Sequence, residues 1–221
     1  MPHREGSPAA GARDFRVAAC FLLLGVAPSV FLAQAQERNR DTEKMQAIVA
    51  ASAEQYKKAD RDYVENIKAA NPNTAVVVVV TEDIADAATR RAARATLTSA
   101  IKVTDEALKR REHILEGTIV QIRAAAVDPK AKEAAVGALR EQSAGSPPLA
   151  VQLMIAMRAY FAKGLEILAH VDRHAAGVTL REGGLKFADK AAATRFDKMQ
   201  SEFLALYDEM QRLSKEAKKA G

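Results

Sequence analysis

The apolar spacing of residues 189–218 is the feature that most restricts how this chain can fold. Hydrophobic side chains recur there at steps of three and four, at Phe196, Met199, Phe203, Leu206, Met210 and Leu213. These steps place the side chains in one stripe along a helix. Such a helix is stabilised chiefly by packing its stripe against other helices. The spacing is also typical of coiled coils, so the stripe can pack inside one chain or join two copies into a homo-oligomer.

The rest of the chain favours helix as well. Aromatic residues make up only 5% of the 221 residues, and the chain contains no Trp and 11 Gly. Ala, Glu, Lys, Leu and Arg, which favour helix, are abundant. We therefore predict a mainly α fold, an antiparallel bundle of four to five helices formed by a single domain over residues 36–221. The predicted helices cover residues 36–71, 82–126, 129–143, 149–175 and 189–218.

The stretch GVTLREGGLKF interrupts this pattern just before the last helix. Its alternation of apolar and polar residues predicts a small β-hairpin. Pairing Leu180 with Leu185 and Val178 with Phe187 puts all four side chains on one face. Residues 182–183 then form the turn, with a glycine that accepts positive φ.

The run AVVVVV, residues 75–80, is the other candidate strand. A lone hairpin is barely stable in water, and β-branched residues favour strands. One interpretation is therefore a three-stranded sheet, made by this run and the hairpin, at one end of the bundle. In the alternative, the valines begin the next helix or cross the core as an extended linker. Thr81 is the predicted N-cap of the helix that follows.

The longest apolar run, residues 17–35, is typical of an export signal. Arg13 and Arg16 precede it, and small residues, Ala33 and Ala35, occupy the two positions that a signal peptidase reads. We predict a signal peptide over the first 35 residues, cleaved after Ala35, and a periplasmic or secreted protein. In the alternative, the uncleaved run anchors the protein in the inner membrane.

The single cysteine, Cys20, falls inside this segment. Most of the apolar stretch follows Cys20, whereas in a lipoprotein signal the stretch precedes the cysteine. We therefore assign Cys20 to the signal peptide. The mature chain then has no disulfide and no thiol nucleophile.

Two histidines, His170 and His174, are the best metal-ligand candidates. Their spacing of four places them on one helix face, and Glu166 lies one turn earlier on the same face. Together they predict a site for zinc or copper. In the alternative, the histidines cap the carboxyl end of their helix and interact with its dipole.

No other motif predicts catalysis or a cofactor. The sequence contains no C-x-x-C-H, Glu-x-x-His, G-x-S-x-G, Walker or G-x-G-x-x-G pattern. We therefore expect a protein that is not an enzyme and that holds no cofactor, although residues distant in sequence can still form a site.

The charge of the chain is mildly basic, with a formal net charge of +5. Clusters occur at Arg90, Arg91 and Arg94 and at residues 109–111. Solvated helix faces are one interpretation; contact with an anionic membrane surface or a cell-wall polymer is the other. We do not expect nucleic-acid binding, because no basic stripe alternates with stacking aromatics.

The stretch GVTLREGGLKFADKAAATRFDKM, residues 177–199, resembles the end of a family of uncharacterised exported helical proteins of the enterobacterial envelope. The shared pattern is an aliphatic strand, a glycine-containing turn, residues 184–187, and a helix with an aromatic residue at Phe196. Members often carry lipoprotein-type signals, whereas Cys20 is not placed for lipidation. The resemblance implies an envelope protein and carries over no catalytic residue.

These patterns lead to one functional hypothesis and one alternative. The hypothesis is a non-enzymatic exported protein that acts through contacts with an envelope protein or a membrane surface. The alternative is a periplasmic helical bundle that binds a small ligand or a metal ion.

Overall fold

A computed structural model describes residues 39–145, 147–181 and 184–220 of the chain. The fold is mainly helical, with a two-stranded hairpin before the last helix, as predicted, but the described residues form six α-helices rather than four to five. Two short 3₁₀ turns, Glu82–Ala85 and Ala175–Gly177, precede the third helix and the first strand. The elements are α1 (Asn39–Ala70), α2 (Pro72–Val80), α3 (Ala87–Ala124), α4 (Pro129–Gly145), α5 (Leu149–Arg173), β1 (Val178–Arg181), β2 (Gly184–Phe187) and α6 (Lys190–Ala220).

The long helices pack in an antiparallel order, with α3 between α1 and α5 and with α6 against α5. Ser52 near the start of α1 hydrogen-bonds Thr118 near the end of α3, over 2.7 Å between their hydroxyl oxygens. Further along, the hydroxyl of Tyr63 on α1 lies within hydrogen-bonding distance, 3.3 Å, of the hydroxyl of Thr104 on α3. Residue numbers therefore rise along α1 while they fall along α3, so the two helices are antiparallel, as the predicted bundle requires.

Four helices converge on Gly164 of α5. A methyl group at this position would lie 2.9 Å from Leu97 Cδ1 of α3, 3.5 Å from Phe203 of α6 and 3.6 Å from Val79 of α2. The ring of Phe203 also stacks on Tyr160, with 4.2 Å between ring centroids. The absence of a side chain at Gly164 therefore sets how closely the helices approach.

The apolar stripe of α6 is covered within the chain. It packs against α5, and its members join the main core together with residues of α2, α3 and α5. The intramolecular interpretation of the stripe is therefore the one that the fold adopts. A homo-oligomer through the last helix stays a prediction. The buried members of the stripe are Phe196, Met199, Phe203, Met210 and Leu213.

Of the two interpretations of residues 75–80, the third strand is wrong, and in the alternative the valines are helical but form a helix of their own rather than the start of the next one. These residues belong to α2, and the only sheet within the described ranges is the hairpin. Pro72 is suited to the first turn of a helix, and Asn71, in a left-handed conformation with φ 48°, separates α2 from α1. Burial of Val76 and Val79 in the helical core outweighs the strand preference of valine.

Thr81 is not the N-cap of the next long helix. Residues 82–85 form a 3₁₀ turn, in which the Thr81 hydroxyl donates a hydrogen bond to the Asp83 carboxylate. Helix α3 begins later, and Asp86 caps it. The Asp86 carboxylate accepts hydrogen bonds from the backbone N–H and the hydroxyl of Thr89, both at 2.6 Å. These bonds lower the pKa of Asp86 below its ordinary value.

Removing this cap should destabilise the fold measurably. We expect Asp86→Ala to lower Tm by about 2–4 °C, since N-cap losses have effects of this order in chains of this size. Because the folded-state pKa is lowered, the difference should persist above pH 3.8 and shrink as the pH falls below it. Thermal unfolding by circular dichroism measures both effects. Asp197→Ala, in the exposed part of α6, is the control and should leave Tm nearly unchanged.

The hairpin has the predicted register. Leu180 pairs with Leu185 and Val178 pairs with Phe187 in an antiparallel ladder. The predicted turn, residues 182–183, lies outside the described residues. The side chains of Leu185 and Phe187 pack against the main core, so the hairpin is stabilised by the bundle rather than by a third strand.

Two residues of the basic clusters are not on solvated faces. Arg90 is buried and binds the Asp172 carboxylate of α5, with 2.6 Å between Nε and Oδ1. Arg111 is buried too and pairs with Asp60 of α1. These arginines tie α3 to its two neighbours and are unavailable for a membrane surface. The cluster members Arg91, Lys109 and Arg110 remain exposed.

The predicted export segment, with Cys20 and the cleavage residues Ala33 and Ala35, lies outside the described residues. Among the helices that are described, none is both long enough and apolar enough to span a membrane.

Candidate histidine site and charged groove

The predicted histidines lie where α5 ends. His174 follows the last helical residue, and its backbone N–H donates to the carbonyls of His170 and Val171. The chain then turns through Ala175–Gly177 into the hairpin. The helix end is thus closed by backbone hydrogen bonds, and the imidazole of His170 is left for other contacts.

His170 is buried between α5 and α6. It is 3% exposed, and its Nε2 lies 2.9 Å from the carbonyl oxygen of Ala192 on α6. Its other ring nitrogen, Nδ1, is buried without a hydrogen-bond partner among the described residues. Burial lowers the pKa of His170; the hydrogen bond to Ala192 opposes this effect, and the charges of His174, Arg195 and Arg173 add to it. Together these effects favour the neutral form of the ring.

Aromatic rings surround His170. The ring centroid of His174 lies 4.6 Å away, that of Phe187 5.5 Å and that of Phe196 6.4 Å. Phe187 and Phe196 also contact each other, at 5.0 Å. One ring cluster therefore joins the end of α5, strand β2 and the start of α6. Through Phe187, the hairpin packs against the ring of His170.

Glu166, the third predicted metal ligand, is not part of this cluster. Its carboxylate lies 2.6 Å from Nζ of Lys163, which also contacts Glu202 of α6 at 2.9 Å. No three His, Cys, Asp or Glu side chains within the described ranges are grouped closely enough to hold a metal ion. The structure brings the two histidines together but directs Glu166 to a lysine on its own helix.

An open groove of about 870 Å³ lies between α5 and the start of α6, and neither histidine is among the residues that line it. Its walls combine cations, carboxylates and a few small or apolar side chains. They are Lys163, Glu166, Asp189, Lys190, Ala191, Thr194, Arg195, Lys198, Met199 and Glu202.

The charges in the groove are arranged unevenly. Near its centre, Lys163 pairs with Glu166 and Glu202, and Lys198 lies 4.0 Å from Glu202, so two cations face two carboxylates. Hydrogen bonds to the two glutamates raise the pKa of Lys163. At the α6 end, Lys190 and Arg195 form no ion pair within the described part of the chain. The amino end of α6 adds a partial positive charge there. Asp189 also lines this end, where its carboxylate accepts a hydrogen bond from the backbone N–H of Ala191. The groove is therefore neutral at its centre and carries one net positive charge at the α6 end.

Sequence reasoning missed this groove. Its walls come from two helices that the hairpin separates, and no single stretch holds the pattern. The sequence could predict only contacts within one helix, such as the ion pair of Lys163 with Glu166 at a spacing of three. The antiparallel pairing of α5 with α6 is what brings Lys163 to Glu202.

No family model, no curated protein and no solved structure matches this chain. The resemblance of residues 177–199 to an enterobacterial envelope family thus stays a prediction.

Proposed function

We propose that this chain is an exported, periplasmic, non-enzymatic protein that acts by binding another envelope protein through the groove between α5 and α6. The observation that carries the proposal is the pair of cations, Lys190 and Arg195, beside an open groove of about 870 Å³ and without carboxylate partners in the described part of the chain. Cations in this position are available to a partner's carboxylates.

The mixture of charges supports a protein partner over a lipid surface. An anionic membrane attracts a uniformly cationic face. In this groove, by contrast, Glu166 and Glu202 alternate with Lys163 and Lys198. Such a pattern is matched by a polypeptide segment that carries charges of both signs, with acidic side chains placed at the α6 end.

Export is supported by the sequence before the described residues. Residues 17–35 combine an apolar run, a basic flank and small residues at positions 33 and 35. A protein cleaved there would work outside the cytoplasm and would hold its fold by packing, without a disulfide.

An acidic probe tests whether the groove binds carboxylates. A fluorescent peptide of ten glutamates would be titrated at low salt against the parent chain and against the double variant Lys190→Glu/Arg195→Glu. We expect the double variant to bind about tenfold more weakly, because two attractive charges become repulsive.

The control has the same change of charge on another surface. Arg91→Glu/Lys109→Glu reverses two exposed cations of α3 and should change affinity less than about twofold. Equal losses in the two double variants would mean that the peptide senses net charge alone, and this outcome would overturn the groove proposal.

A further inference from the structure

The hydrogen bond of His170 fixes its tautomer. A carbonyl oxygen only accepts hydrogen bonds, so the Nε2 that lies 2.9 Å from the Ala192 oxygen carries the ring proton. In the neutral ring, Nδ1 then holds an unprotonated lone pair. This lone pair is the group that a metal ion or a hydrogen-bond donor can use.

The lone pair is buried and has no partner. Nδ1 of His170 meets no donor among the described residues, and the ring lies among Phe187 and Phe196. A buried acceptor without a partner is costly and rare in native proteins. The arrangement is also the one typical of metal-binding histidines, whose second ring nitrogen donates to a backbone carbonyl.

His174 provides a second nitrogen ligand beside the first. Its ring centroid lies 4.6 Å from that of His170, one turn further along the chain. The residue is partly exposed, and neither ring nitrogen takes part in a hydrogen bond within the described ranges. The partly exposed ring of His174 therefore lies against the buried ring of His170.

We propose that Nδ1 of His170 and the imidazole of His174 form a two-histidine site for a transition-metal ion, with copper bound more tightly than zinc. The site is distinct from the groove and goes beyond the function proposed for it. Glu166 is not a ligand in this proposal, because its carboxylate pairs with Lys163.

The surroundings indicate which ions the site favours. Arg173 and Arg195 place positive charge near His170, and no carboxylate or thiolate of the described residues joins the two rings. Hard cations such as Mg²⁺ and Ca²⁺ need oxygen ligands and are disfavoured. Copper and zinc form strong bonds to neutral imidazole, and copper forms the stronger ones.

Metal titration of the untagged, chelator-treated protein tests the site. We expect one Cu²⁺ per chain, with Zn²⁺ bound more weakly, measured by calorimetry. His174→Ala should weaken Cu²⁺ binding at least about tenfold, since even the loss of an outer hydrogen-bond partner has effects of that size. His113→Ala removes an exposed histidine of α3 and should change the affinity less than about twofold.

Unchanged Cu²⁺ affinity in the His174→Ala variant would overturn the proposal, as would a parent chain that binds no Cu²⁺. The tautomer provides a test that needs no variant of the buried His170. Long-range ¹H–¹⁵N spectra of the metal-free protein should show His170 protonated at Nε2, and adding Zn²⁺ should shift its Nδ1 resonance. A His170 protonated at Nδ1 would overturn the assignment.

Discussion

Replacing Gly164 with leucine is expected to destabilise the protein by about 3 kcal/mol or more, at the upper end of the overpacking range. A single added carbon would already lie 2.9 Å from Leu97, which is fully buried and packed between helices. Leucine adds three further carbons at a site that Phe203 and Val79 also line, 3.5 and 3.6 Å from the added Cβ. Since native proteins are stable by only about 5–15 kcal/mol, the loss should be plain in urea unfolding.

Gly117 of α3 is the matched control. It is also a helical glycine, but an added Cβ meets nothing within 4 Å. Gly117→Leu should stabilise the chain by about 0.5–1 kcal/mol, because glycine is a poor helix former. Similar effects of the two substitutions would contradict the convergence of four helices on Gly164.

The second large effect concerns the buried ion pair of Asp60 and Arg111. We expect Asp60→Ala to lower the free energy of unfolding by about 3–5 kcal/mol, since it leaves Arg111 buried without its counter-charge. The guanidinium also lies over the ring of Tyr56, 4.8 Å from its centroid, and keeps that contact in the variant. Urea unfolding at neutral pH measures the loss.

Asp62 offers the control two residues away. It pairs with Arg110 at the surface, over 2.6 Å, and Asp62→Ala should cost about 0–1 kcal/mol. The double variant Asp60→Leu/Arg111→Met should recover most of the stability lost in Asp60→Ala, because it removes both buried charges. If Asp60→Ala behaved like Asp62→Ala, the pair would not be buried as described.

Local periodicity was enough to predict the helices and the hairpin. The stripe from Phe196 to Leu213 predicts one face of α6, and the alternation around Leu180 and Leu185 predicts the strand register. Both patterns lie within a few consecutive residues, where backbone geometry alone relates side chain to side chain.

The valine run was ambiguous because its conformation depends on distant residues. Valine favours strands, but Val79 packs beside Leu97 and Phe203, far along the chain. The buried arginines were missed for the same reason: Arg90 and Arg111 find their carboxylates on other helices. Tertiary packing decided these cases against local preference.

The candidate site was predictable only in part. The spacing of four predicts that His170 and His174 are neighbours, and their rings do meet. The same spacing predicts Glu166 on the histidine face. The Glu166 carboxylate instead pairs with Lys163, which lies three residues earlier on the helix. His170 donates to the Ala192 carbonyl and contacts the ring of Phe187. Both partners lie on other elements, so no pattern near His170 in the sequence predicts them.

Photocrosslinking in the native envelope tests the central proposal, binding of an envelope protein through the groove, most directly. A benzophenone amino acid would replace Thr194, which lines the groove, or Thr98 on the exposed side of α3. We expect a discrete protein adduct from position 194 that is weak or absent from position 98 and is lost when Lys190→Glu/Arg195→Glu is added. No adduct at position 194, or the same adducts from both positions, would contradict binding through the groove.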